Sequence, residues 1–135
     1  MIVVLDTNVL VSGLLQPFGP SGQIVRLVAS NDLALCHDSR ILSEYWEVLL
    51  RAKFRFDPSR IAALLAEIDA SGIPVVARPL AIRLPDPDDE PFLEVALAGG
   101  APLVTGNAKH YPPAARQGVE VHSPRSFIEF YRETA

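Results

Sequence analysis

The chain has 135 residues, 49% hydrophobic and 21% charged, a composition that fits one globular domain and excludes a disordered chain. Its net charge of −4 and pI of about 5.3 exclude gripping nucleic acid by bulk positive charge, but not catalysis on nucleic acid through bound cations. The lone Cys36 permits no internal disulfide, the start MIVVLDTN lacks the basic region of a signal peptide, and no apolar run approaches the ~18 residues of a membrane span, so a soluble cytoplasmic protein is expected.

In chain order, IVVLD (2–6) is a short, continuous, β-branched run and predicts a strand buried on both faces of a parallel sheet. VLVSGLL (9–15) predicts a short helix capped by Thr7 or Asn8. QPFGPSG (16–22) reads as a loop, QIVRLVAS (23–30) as a helix and LALC (33–36) as a second strand, with Cys36 a small buried hydrophobe. SRILSEYWEVLLRAKF (39–54) places Ile41, Tyr45, Val48, Leu49 and Ala52 at helical spacing, with Asp38 or Ser39 at its cap. DPSRIAALLAEIDASG (57–72) carries Asp57 at the N-cap, Pro58 at the first helical position and Gly72 at the stop. IPVV (73–76) predicts a third strand, FLEVALAGG (92–100) a helix stopped by two glycines, PLVTG (102–106) a fourth strand and VEVH (119–122) a weaker fifth. SPRSFIEFYRE (123–133) predicts a closing amphipathic helix with Ser123 at its cap. This alternation predicts a single α/β domain over 1–135, with a mostly parallel sheet of about five strands and helices on both sides.

Ligands of open α/β sheets bind beyond the carboxyl ends of the strands. Asp6 directly follows the first strand, where a carboxylate at the rim of the core is costly unless it is paired or liganded; capping of the next helix is the competing account. Glu44 shares a row with Ile41 and Val48 at the edge of the apolar face of helix 39–54, whereas Glu47 lies nearly opposite and reads as solvated. The competing account of Glu44 is an ion pair with Arg40 or Arg51. In LPDPDDEP (84–91), Pro91 is tolerated only in the first helical turn, which puts the N-cap near Asp88, Asp89 and Glu90 in the first turn, and Asp86 in the loop. Capping explains one of these four acids and not all of them. Asn107 stands at the end of the fourth strand and offers an amide oxygen without charge; ordinary turn chemistry accounts for it equally well.

Three separately placed acids thus converge at one end of the sheet: Asp6, Glu44 and one of 86–89. An oxygen-rich set without sulfur suits Mg2+ or Mn2+, and His37, His110 and His122 have no zinc-ligand spacing.

The start VVLDTNVLVSGLL, the helix ILSEYWEVLLR and the segment DPDDEPFLEVALAGGAPLVTGN, in that order, resemble PIN-domain ribonucleases. The resemblance covers nearly the whole chain and is strongest to bacterial toxin components of type II toxin–antitoxin systems, relatives of the VapC toxins. It implies a three-layer α/β/α sandwich and Mg2+- or Mn2+-dependent hydrolysis of single-stranded RNA, leaving 5′-phosphate and 3′-hydroxyl ends. By position, Asp6, Glu44 and Asp89 match the three family acids as catalytic and metal-binding residues. Asn107 occupies the place where many relatives carry a fourth acid, so Asp86, Asp88 and Asn107 are secondary metal candidates, and one-metal and two-metal sites both stay open. Thr105, Lys109 and Asn8 are candidate substrate contacts, as are Arg51 and Lys53, whose competing account is a solvated helix end. A cognate antitoxin and a homodimer are the implied protein partners. Two other readings compete: a catalytically weakened PIN-fold module that binds RNA or a protein, and a phosphatase-like domain using Asp6. Position 8 is Asn rather than a second acid, which counts against the phosphatase pattern.

Overall fold

The computed structural model describes residues 1–134. Five strands form one sheet in the order β3-β2-β1-β4-β5, and every pairing is parallel. β1 (Ile2–Leu5) lies at the centre, flanked by β2 (Ala34–His37) and β4 (Leu103–Val104), with β3 (Ile73–Pro74) and β5 (Val121–His122) at the edges. Central position explains the sequence of β1: Val3, Val4 and Leu5 are fully buried, as a strand covered on both faces requires. The architecture is the expected α/β/α sandwich with a five-stranded parallel sheet.

Among the described residues, six helices pack around this sheet: α1 (Thr7–Leu15), α2 (Pro20–Ala29), α3 (Ser39–Leu49), α4 (Pro58–Ser71), α5 (Glu90–Gly99) and α6 (Pro124–Thr134). α5 lies against β1, β2 and β4, while α2 joins α1, α4 and α6. Gly99 makes the fit of α5 possible, because a Cβ there would meet Cys36 Sγ of β2 at 2.9 Å. Among the described residues, no helix is long and apolar enough to cross a membrane.

Several boundaries follow their expected signals. Asp38 caps α3 by accepting from Ile41 N at 3.1 Å, Asp57 caps α4 by accepting from Ser59 N at 3.0 Å, and the Ser123 hydroxyl accepts from Ser126 N at 3.1 Å. Gly100 ends α5 in the left-handed region with φ 63°.

Other boundaries differ. α2 starts inside the expected loop 16–22, because Pro20 sits in the first turn, where its fixed φ favours helix. α3 stops at Leu49 rather than near Phe54: Arg51 is extended, residues 52–54 form a separate 3-10 turn, and Arg55 takes φ 56°. This break brings Phe56 against the core, stacked on Phe54 with ring centroids 5.5 Å apart. Thr7 and Asn8 are not caps but the first residues of α1, and the N-cap position is Asp6 itself.

The chain climbs outward from β1 to β2 and β3, then returns to place β4 on the other side of β1. The order reverses between β1 and β4, and in such sheets this switch point is where ligands bind. Residues just after Leu5 and Val104 therefore face one another across the crevice.

Candidate active site

Asp6 follows β1 and is 5% exposed. It occupies the cap position of α1 without making a capping hydrogen bond. Instead its Oδ2 accepts from Thr105 Oγ1 at 2.9 Å and from Tyr111 Oη at 3.0 Å. Burial raises its pKa, opposed by the Thr105 and Tyr111 hydroxyls and by the Asn8 and Thr7 amides. The same burial, with the charges of Asp6 and Asp89, pushes the Tyr111 hydroxyl far up, so it stays a donor.

Beneath Asp6, the fully buried Tyr45 of α3 donates its hydroxyl to Leu5 O at 2.6 Å. That bond ties α3 to the last residue of β1. Glu44 immediately precedes Tyr45 on α3, and it accepts a hydrogen bond from the Thr7 hydroxyl of α1. Glu44 is half-buried, and its pKa is raised by burial against the Thr7 hydrogen bond, with Asp6 and Asp88 adding repulsion. The competing ion pairs for Glu44 do not form: Arg40 bridges Asp38 and Glu94, and Arg51 pairs with Glu47 at 2.9 Å.

Asp89 lies at the start of α5. Its pKa is raised from 3.8 to about 6, first by burial, then by the charge of Asp6, with His110 opposing. His110 Nδ1 lies 2.9 Å from Asp89 Oδ2 and opposes the rise in its pKa, but the contact lacks the alignment of a well-formed hydrogen bond and no other group donates to that buried oxygen. His110 Nε2 meets the Asn107 side-chain nitrogen at 2.8 Å.

The acidic stretch divides differently from the sequence expectation. The residue that caps is Asp86, not Asp88: its carboxylate accepts from Asp88 N at 2.9 Å and starts a 3-10 turn over Pro87–Asp89, which runs into α5. Asp88 is exposed, and the acid turned toward Asp6 is Asp89. Glu90 is more than a first-turn charge: it accepts from Arg83 Nε at 2.8 Å and Leu84 N at 3.0 Å. One turn on, Glu94 accepts from Leu80 N at 3.1 Å and Arg40 Nη1 at 2.7 Å. Together they hold the long segment before Asp86 against α5, which fixes where Asp89 emerges.

The other candidates are spread around this core. Thr105 is 1% exposed, and its hydroxyl is committed between Asp6 and Asn107 N, the latter at 3.0 Å. Asn8 is exposed and accepts from Gly106 N at 3.0 Å; Gly106 serves this close approach, since a Cβ there would sit 3.3 Å from Asn8 Oδ1. Lys109 is exposed two residues beyond Asn107. Arg51 and Lys53 are also exposed, but they follow the C-terminal end of α3, about 10 Å or more along the helix direction from Glu44. Asn107 spends its amide on His110 rather than on the acids. His110 and Tyr111 are the site residues that sequence reading missed. The three-residue spacing in NAKH is the available signal, since one 3-10 turn over Ala108–His110 carries the imidazole back to Asn107.

Asp6, Glu44 and Asp89 are thus gathered at the switch point, near enough to repel one another. Among the described residues, however, no three His, Cys, Asp or Glu side chains stand close enough to hold a metal ion as positioned. The donors still fit a hard divalent cation in kind: three carboxylates disfavoured as bare charges, one with a buried oxygen that makes no hydrogen bond. A cleft of about 650 Å³ between α2 and α6 is lined by Arg26, Leu27, Tyr131 and Arg132 among others and shares no residue with this site.

A family model described as PIN domain matches residues 2–109. The chain is also similar to the uncharacterized protein MJ1680 of Methanocaldococcus jannaschii, at 26% identity over 97% of this chain and 92% of the relative.

Proposed function

The chain belongs to the PIN domain family, and from that premise we propose that it is a divalent-metal-dependent endoribonuclease acting on single-stranded RNA, the toxin of a toxin–antitoxin pair. PIN domains are generally nucleases, which supports hydrolysis of phosphodiester bonds. The observation that carries the reading is Asp6, buried at the carboxyl end of the central strand and adding its repulsion to Glu44 and Asp89 from two other elements. A protein keeps such a cluster at a cost in stability when a cation is its partner.

Asp6, Glu44 and Asp89 are the residues that would hold Mg2+ or Mn2+. When bound, the cation supplies positive charge for the phosphodiester and activates water near neutral pH. The chain's own residues do the rest. Thr105 and Tyr111 fix the Asp6 carboxylate through its Oδ2. Thr7 fixes Glu44, and Tyr45 fixes the backbone just before Asp6. Asn8 holds the Gly106 turn, and the exposed Lys109, two residues beyond Asn107, is our candidate phosphate contact. A cognate antitoxin covering the acidic crevice, and pairing of two copies, complete the toxin reading.

The test is cleavage of single-stranded RNA with and without Mn2+ or Mg2+, comparing the wild type with Asp6→Ala, Glu44→Gln and Asp89→Asn. Metal-dependent cleavage that falls about 100-fold or more in each variant is expected. Unchanged cleavage in all three would remove the site assignment, and metal binding without cleavage would favour the binding-module reading.

A further inference from the structure

His110 and Asp89 form a pair whose distance and direction disagree. Their facing atoms are 2.9 Å apart, a hydrogen-bond distance, yet the ring nitrogen does not point at the oxygen and Asp89 Oδ2 remains without a hydrogen-bond partner. Asp89 Oδ2 is therefore open to a further partner beside the imidazole. For an octahedral cation with bonds of about 2.1 Å, adjacent donors lie about 3.0 Å apart. The 2.9 Å separation seen here matches that edge.

The other face of the imidazole supports the same role. A metal-bound histidine is oriented by a hydrogen bond at its second nitrogen. His110 Nε2 has such a neighbour in the Asn107 amide at 2.8 Å, and the Asn107 backbone N is itself anchored to Thr105 Oγ1 at 3.0 Å. With the amide nitrogen toward the ring, Asn107 donates to Nε2 and the proton resides on Nδ1. A half-turn of the amide presents its oxygen instead, moves the proton to Nε2 and frees the Nδ1 lone pair. The network accepts either tautomer without moving a backbone atom. Among the described residues, His110 is the one cationic side chain paired with Asp89, whose other charged neighbours, Asp6 and Asp86, are acidic.

We propose that His110 Nδ1 is a metal ligand beside Asp89, so that the site has a nitrogen donor and prefers Mn2+ to Mg2+. The inference rests on the metal-dependent reading above and deepens it. Nitrogen donors bind first-row transition ions better than Mg2+, which keeps oxygen ligands and water. Asn107 then contributes through the ring it orients rather than through direct coordination.

The experiment uses the full chain loaded with Mn2+, examined by pulsed electron paramagnetic resonance for 14N coupling, with Mn2+ and Mg2+ affinities measured by calorimetry. The variants are His110→Gln, which keeps a polar side chain, His110→Ala, and His122→Ala as a control for the other partly exposed imidazole. The expected result is imidazole 14N coupling in the wild type and His122→Ala, lost in both His110 variants. Mn2+ affinity should fall about tenfold or more in those variants, and Mg2+ affinity by less than about threefold. Bound Mn2+ without 14N coupling, or coupling that survives His110→Gln, would overturn the ligand role and leave the nuclease reading standing. If Mn2+ does not bind the folded wild type at neutral pH, both fail together.

Discussion

Replacing Asp89 with asparagine should stabilise the metal-free protein near neutral pH while destroying its site. The folded-state pKa of Asp89 is about 6 against an ordinary 3.8, so keeping the carboxylate ionised in the fold is unfavourable. The sign follows from linkage: a raised acid contributes stability below its unfolded pKa and loses it as pH rises through the folded one. At ~1.4 kcal/mol per pH unit, the rise of about two units sets a ceiling of about 3 kcal/mol. The side chain is 13% exposed and faces His110, so screening and the lost histidine contact reduce the expected gain to about 1–2 kcal/mol. Urea denaturation in EDTA at about pH 7.5 reads this as a midpoint shift of roughly 0.5–1 M, with the slope unchanged. At about pH 4.5 the folded carboxyl is protonated while the unfolded one is still largely ionised, so the difference should shrink to about a third, and it should vanish only below about pH 3.8. Saturating Mn2+ should reverse the order at about pH 7.5, because ligand binding stabilises only the chain that retains the site. A variant that is less stable than wild type in EDTA at about pH 7.5, or a gain undiminished at about pH 4.5, would refute the electrostatic account of the cluster.

Two packing predictions follow from the same structure. Tyr45→Phe removes the buried hydrogen bond to Leu5 O and should cost about 1–2 kcal/mol in urea denaturation; a cost near zero would mean that this bond does not tie α3 to β1. Gly99→Ala drives a methyl to 2.9 Å from Cys36 Sγ and should cost about 1–3 kcal/mol despite alanine's better helix propensity. In a double-mutant cycle with Cys36→Ala the clash should disappear, giving a coupling of about 1 kcal/mol; additive effects would place the strain elsewhere.

The parts of the fold that were legible in the sequence are those with local causes. The β-branched run Ile2–Leu5 could only be a strand covered on both faces, and Asp57-Pro58 could only open a helix. The shortening of α3 was not legible, because its cause is tertiary: Phe56 must reach the core, and the helical pattern from Ser39 gives no hint of it. The site behaves the same way. Asp6 announces itself as an acid at the end of an apolar run, and Glu44 as an acid at the edge of an apolar face. Asp86 and Asp88 were harder to tell apart, since either can cap, and the choice turns on a 3-10 turn that precedes α5. Tyr111 was missed because its partner Asp6 is 105 residues away, and nothing in the aromatic residue's own neighbourhood points there. His110 lies one residue beyond the family match, so the resemblance could not point to it either.

The bonds that fix Asp6 also have a consequence in time. Its partners Thr105 and Tyr111 follow it by 99 and 105 residues, and β1 has β4 as a central neighbour. A chain emerging from the ribosome therefore carries its first acid for most of synthesis with neither the hydroxyls that hold it nor the strand that forms the other wall of the crevice. Contacts this distant in sequence form late. On the nuclease reading proposed above, the site is not assembled until β4 and Tyr111 have been made. The parallel sheet works here as a delay, coupling assembly of the acidic crevice to near-completion of the polypeptide.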